Sequence, residues 1–114
     1  MIIYLDTETT GLRPGNICQL SYIMQDKDVV TAKNMFFAVD FVEMGALMVH
    51  GFSVEKLAEL SNGKRFNDRI EEIESDFNRA DLIVAHNTAF DFMFLDKEYQ
   101  NCGRNFRQET AFVQ

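Results

Sequence analysis

Asp6 and Glu8 stand two residues apart at the end of the apolar run Ile2-Ile3-Tyr4-Leu5. Side chains alternate along an extended strand, so the two carboxylates project together while Thr7 points away. Anions side by side repel unless a proton or a cation separates them, and magnesium or manganese is the simplest partner for such hard oxygens. Asp91 is a third carboxylate of interest. It falls in the first turn of a predicted helix that follows the short buried strand Leu82-Ile83-Val84-Ala85, where the helix dipole favours an anion. A strand placed after a helix should return parallel to the first strand, and the next helix then opens toward the crevice at their carboxyl ends. Asp6, Glu8 and Asp91 would meet there. The competing reading is a strand running into a solvated acidic turn.

The elements that must position these residues follow from periodicity. Ile2 to Leu5 read as a central strand covered on both faces, and Gly11 lets the chain turn sharply out of it. Arg13-Pro14-Gly15-Asn16 is a turn. Ile17 to Gln25 alternate as a half-buried strand, Asp26-Lys27-Asp28 turns, and Val29 to Ala38 form a third strand, completing an antiparallel meander. A short helix is expected between Phe41 and Val49, and Ser53 caps the next, with Val54, Leu57 and Leu60 on one face. Asn67 is the expected cap of a helix carrying Ile70, Ile73 and Phe77. Asn87 or Thr88 caps the helix of Asp91, whose apolar stripe is Phe92, Leu95, Tyr99 and Cys102. Asn105 to Glu109 carry a short strand signal, and Thr110 to Val113 look like the start of a further helix.

With 114 residues there is at most one domain, and 46% hydrophobic residues, eleven Phe and a mean hydropathy of -0.17 suit a globular core. No window approaches the roughly 20 apolar residues of a membrane span, so no membrane is expected, and no signal peptide is visible. Cys18 and Cys102 lack the paired spacing of zinc sites or disulfide frameworks, which predicts reduced thiols and a cytoplasmic location. The net charge of -7 and pI near 4.7 count against a general nucleic-acid binder. Much of that charge, in Glu71, Glu72, Glu74 and Asp76, is expected on one solvated helix face.

Asp6-Thr7-Glu8-Thr9-Thr10-Gly11-Leu12 resembles the first motif of the DEDD-type, DnaQ-like 3′–5′ exonucleases, the family that includes the proofreading subunit of the bacterial replicative polymerase. Leu82 to Asp91 resembles its second motif, with His86-Asn87 followed by Phe90-Asp91, and His50-Gly51 matches a His-Gly that often precedes a capped helix in these enzymes. The resemblance implies an α/β, ribonuclease H-like mixed sheet, a three-strand antiparallel meander plus parallel strands, with flanking helices. It also implies two magnesium or manganese ions at Asp6, Glu8 and Asp91, roughly 3.5–4 Å apart as in other two-metal sites. The activity implied is hydrolysis of the terminal phosphodiester at a single-stranded DNA or RNA 3′ end, releasing nucleoside 5′-monophosphates, with a DNA polymerase as a partner. Thr9 would offer its backbone amide to the terminal sugar, Leu12 would wedge against the last base, and Asn87 would bond the substrate backbone. His50 reads as structural or substrate-adjacent.

The family's third motif, His or Tyr followed four residues later by Asp on a helix, has no counterpart here. Tyr22 and Asp26 match the letters but fall in a strand and turn. Glu109-Thr110 occupies the place of an Asp-Thr that comes before the third motif. Residues 1–114 are therefore expected to be a single exonuclease-like domain truncated at its carboxyl end, whose open edge a second copy of the chain would cover. The alternative is a catalytically silent module on the same fold that binds nucleic-acid ends or a protein.

Overall fold

The apolar amino-terminal run forms β1 (Ile2–Thr9), the middle strand of a five-stranded sheet ordered β3-β2-β1-β4-β5. The computed structural model describes residues 1–12, 15–106 and 111–113. β1 pairs antiparallel with β2 (Ile17–Asp26), and β2 with β3 (Val29–Phe36), through a tight turn in which Lys27 takes a left-handed φ of 57°. On its other side β1 pairs in parallel with β4 (Leu82–Ala85), in register from Ile2 opposite Leu82 to Leu5 opposite Ala85. β5 (Ala111–Val113) adds in parallel beyond β4. The meander and the parallel addition agree with the predicted ribonuclease H-like topology.

Among the described residues there are four α-helices: α1 (Met44–His50), α2 (Val54–Ser61), α3 (Ile70–Asn78) and α4 (Thr88–Asn101). The Ser53 hydroxyl accepts the Lys56 amide at 3.1 Å, the N-cap read from the sequence. Ile3, Leu5, Leu20, Tyr22 and Met24 of the sheet are buried with Ile73 and Phe77 of α3 and Leu95 and Tyr99 of α4 in one core.

That core occupies one side of the sheet. On the opposite side a row runs from Val113 of β5 through Val84, Tyr4 and Ile23 to Ala32 of β3, and Tyr4 is 40% and Ile23 44% exposed. The expectation that β1 is covered on both faces is thus corrected. A continuous apolar run does not distinguish a strand coated twice from one whose second face stays open among the described residues.

Three local expectations also change. Asn67 caps nothing: a 3-10 turn (Phe66–Arg69) precedes α3, and it is Asp68 that accepts the Arg65 amide at 2.8 Å. Asn87 sits at the N-cap of α4 but makes no side-chain cap bond. Ala111 to Val113 extend the sheet as β5, because pairing with β4 outweighs a local helical signal. Asn105 and Phe106 lie outside any strand, and the rest of that predicted strand, like Arg13, Pro14 and Thr110, lies outside the described residues.

The acidic face of α3 is not simply solvated. Asp76 is buried at 7% exposure, taking the Tyr22 hydroxyl at 2.6 Å and Lys33 Nζ at 2.7 Å. Glu72 bonds Lys33 at 2.9 Å and Arg69 at 3.0 Å, and Arg104 pairs with Glu74. These acids tie α3 to β2, β3 and the segment after α4, and Glu71 remains exposed.

Candidate active site

β1 ends at the mouth of a crevice, and strand alternation divides its last residues between two faces. Asp6 is paired with Ser21 on the open side, and Thr7 is paired with the fully buried Leu20 on the covered side. α4 packs on that covered side and presents Asp91 there. The Thr7 hydroxyl donates to Asp91 Oδ1 at 2.5 Å, while the Asn87 amide approaches Oδ2 at 3.4 Å.

The three carboxylates lie within electrostatic reach of one another. Burial pushes the Glu8 carboxyl above the usual range, and the charges of Asp6 and Asp91 push it further. Asp91 is 4% exposed. Its carboxyl is also pushed up by burial, held back by the hydrogen bonds from Thr7 and Asn87, and raised again by Asp6. Among the described residues, no three His, Cys, Asp or Glu side chains are drawn together closely enough to grip an ion as they stand. The donor set is nonetheless three oxygen anions that repel one another, which suits a hard divalent cation.

The chain between β1 and β2 is pinned from two sides. Glu98 of α4, 5% exposed, accepts the Ile17 amide at 2.9 Å, and Lys97 Nζ reaches the Gly15 carbonyl at 3.0 Å. From the other side Glu43 accepts the Leu12 amide at 3.1 Å and lies directly over Gly11. A Cβ on Gly11 would fall 1.5 Å from Glu43 Oε2, so only glycine leaves that carboxylate its place.

His50 closes the same corner. Its Nδ1 accepts the Phe52 amide at 3.0 Å, so the ring proton sits on Nε2 and is donated to the Thr9 carbonyl at 2.9 Å. Both nitrogens are occupied, which makes His50 a strut between α1 and the end of β1.

Thr7, Glu8, Thr9, Leu12, His50 and Phe90 line a crevice of about 680 Å³, whose other wall includes Phe41, Met44 and Val49. A second hollow of about 460 Å³, sharing Leu12 and Phe90 with the first, is bordered by Asn87 and Met93. Of the residues named from the sequence, Glu8, Thr9, Leu12, His50 and Asn87 therefore line adjoining hollows. Asp6 borders the open sheet face, with Ser21 and Asn34, and Asp91 stands behind Thr7. Among the described residues, no Lys or Arg lines either crevice. Thr7, Glu43 and Glu98 were not singled out from the sequence. Strand alternation contained the signal for Thr7, since the residue between two outward acids must face the crossover helix.

Raised carboxyls set a pH dependence. Glu8, Asp91 and Glu98, the last raised chiefly by burial, hold protons in the folded chain at pH values where the unfolded chain, with its ordinary carboxyl pKa of about 4, has lost them. Their stabilising contribution is complete below that pH and is lost as pH rises through the folded values. Glu72, lowered by its hydrogen bonds to Lys33 and Arg69, acts in the opposite sense at acid pH. The expected result in EDTA is a higher melting temperature near pH 5 than at pH 8, with magnesium recovering part of the loss at pH 8. Equal melting at both pH values would contradict it.

The chain is 32% identical over 102 residues to the DNA polymerase III subunit epsilon of Rickettsia felis, an alignment covering 84% of this chain and 43% of that protein. The epsilon subunit of Rickettsia conorii matches at the same identity and coverage. The chain thus spans less than half the length of these relatives. Exonuclease I of E. coli in complex with an oligonucleotide has the same fold, with a TM-score of 0.84, 16% identity, and 99% of this chain against 27% of that one. Product-bound exonuclease I gives a TM-score of 0.83, 15% identity, and coverage of 99% and 29%. No family model matches the chain.

Proposed function

Because this chain belongs to the DnaQ-like exonuclease family, we propose that residues 1–114 form one exonuclease-like domain acting on the 3′ end of single-stranded DNA or RNA. It hydrolyses the terminal phosphodiester and releases a nucleoside 5′-monophosphate. The observation that carries this reading is that Glu8 lines a crevice with no Lys or Arg among its described lining residues, while Asp91 stands behind Thr7 and the charge of Asp6 raises both carboxyls. A phosphate entering there would be repelled unless divalent ions lay between it and the acids.

Asp6, Glu8 and Asp91 would hold magnesium or manganese, which when bound supplies Lewis acidity to the attacking and leaving oxygens. The protein's own groups do the rest. Leu12, 73% exposed at the lip of both hollows, offers an apolar surface to the last base, with Phe90 beneath. The Thr9 main chain, braced by His50, faces the terminal sugar, and Asn87 contacts the substrate backbone beside Asp91. Such a site grips one end through few phosphates, which is compatible with a net charge of -7. By analogy with the relatives that are subunits of DNA polymerase III, a polymerase is the proposed partner, in the cytoplasm.

A second reading is supported by the absence of a ready ion cluster among the described residues. In it the chain binds nucleic-acid ends, or a protein, without cleaving. A single-stranded oligonucleotide labelled at either end, incubated with manganese or with EDTA, separates the two. Mononucleotide released first from the 3′ label, and only with manganese, is the expected result. Retention of the oligonucleotide without cleavage would establish the silent module instead.

A further inference from the structure

The residue between the two acids of β1 has a task of its own. Thr7 faces away from Asp6 and Glu8, and its hydroxyl makes the shortest of the two contacts to the Asp91 carboxylate, 2.5 Å to Oδ1 against 3.4 Å from the Asn87 amide to Oδ2. Asp91 is 4% exposed, so it has little water to replace a lost partner.

We propose that Thr7 is the positioning residue of this site: its hydroxyl fixes Asp91 through Oδ1 and leaves Oδ2 as the oxygen available to a divalent ion. The inference rests on the reading of Asp6, Glu8 and Asp91 as ion ligands. A carboxylate joined to its own helix only by a long amide contact can turn about its side-chain bonds. A short bond from the neighbouring strand fixes that turn. It also couples the two elements that carry the acids, because Thr7 belongs to the strand of Asp6 and Glu8 while Asp91 belongs to α4. The hydroxyl is a donor here, since an ionised carboxylate can only accept. Hydrogen bonds of this kind to a ligating carboxylate are typically worth about 10–100-fold in metal affinity.

The test is manganese binding, measured by electron paramagnetic resonance of free Mn²⁺ at pH 7.5 without nucleic acid, on the unmodified chain, Thr7→Val and Thr7→Ser. Valine keeps the shape and removes the donor; serine keeps the donor. Melting in EDTA confirms that each variant is folded. The expected result is affinity reduced about 10–100-fold in Thr7→Val and largely restored in Thr7→Ser. A folded Thr7→Val that binds manganese as tightly as the unmodified chain, or more tightly, overturns the proposal while leaving the ion site in place. Equal loss in Thr7→Val and Thr7→Ser overturns it too, by pointing to packing. No binding by the unmodified chain would overturn the reading of the site itself.

Discussion

Replacing Asp6 by alanine should abolish manganese-dependent release of mononucleotide and, in the same protein, raise its melting temperature in EDTA. The two effects share one cause. The Asp6 charge raises the proton affinity of both Glu8 and Asp91, so it costs stability when no ion is present and attracts the ion when one is. Loss of a carboxylate proposed to hold the ions should reduce cleavage by about 10³-fold or more, equivalent to several kcal/mol of charge stabilisation. Its removal disturbs little packing, because Asp6 lies on the open sheet face. A variant that merely unfolds would lose activity with a lower melting temperature, so the opposite signs distinguish the cases. An Asp6→Ala chain still cleaving at near the unmodified rate would dismiss Asp6 as a ligand.

The largest expected loss of stability is at Asp76, far from the crevice. Asp76→Ala strands the Tyr22 hydroxyl, in a residue 2% exposed, and deprives Lys33 of one of its two carboxylates. Leaving one buried hydroxyl and one half-buried ammonium short of partners should cost about 2–4 kcal/mol. For a chain of this size that lowers the melting temperature by roughly 10 °C or more. Tyr22→Phe in the same background should recover part of the loss, because the hydroxyl then no longer needs a partner, and the coupling between the two positions can be read from a double-mutant cycle. The neighbouring Glu71→Ala, on the solvated side of α3, should change stability by less than about 0.5 kcal/mol. Similar melting for Asp76→Ala and Glu71→Ala would mean that the acids of α3 are equivalent after all.

Those two acids also show where sequence reasoning stops. Glu71 and Asp76 are alike in type, and a helical wheel alone does not say that the second turns under the sheet to meet Tyr22 and Lys33, 54 and 43 residues away. Likewise Glu98 belongs to a helix whose apolar stripe was legible, yet its burial against the Ile17 amide depends on a loop 81 residues earlier in the chain. Short-range signals were more dependable where one residue acts on its immediate neighbours, as at the Ser53 cap. They failed where tertiary pairing competes with them, as in β5, or where another side chain takes the cap, as Asp68 does near α3.

By itself the sequence determined the family, the meander followed by a parallel strand, and the placing of Asp6, Glu8 and Asp91 at neighbouring element ends. These rest on strand periodicity, crossover handedness and ordered motifs, all of which act along the chain. Only the tertiary structure decided that Thr7 and not solvent meets Asp91, that both nitrogens of His50 are engaged, and that one face of the sheet stays open among the described residues. Each of these depends on a partner from a distant segment, and the direction of a side chain toward such a partner is set by packing, which residue types and spacing do not encode.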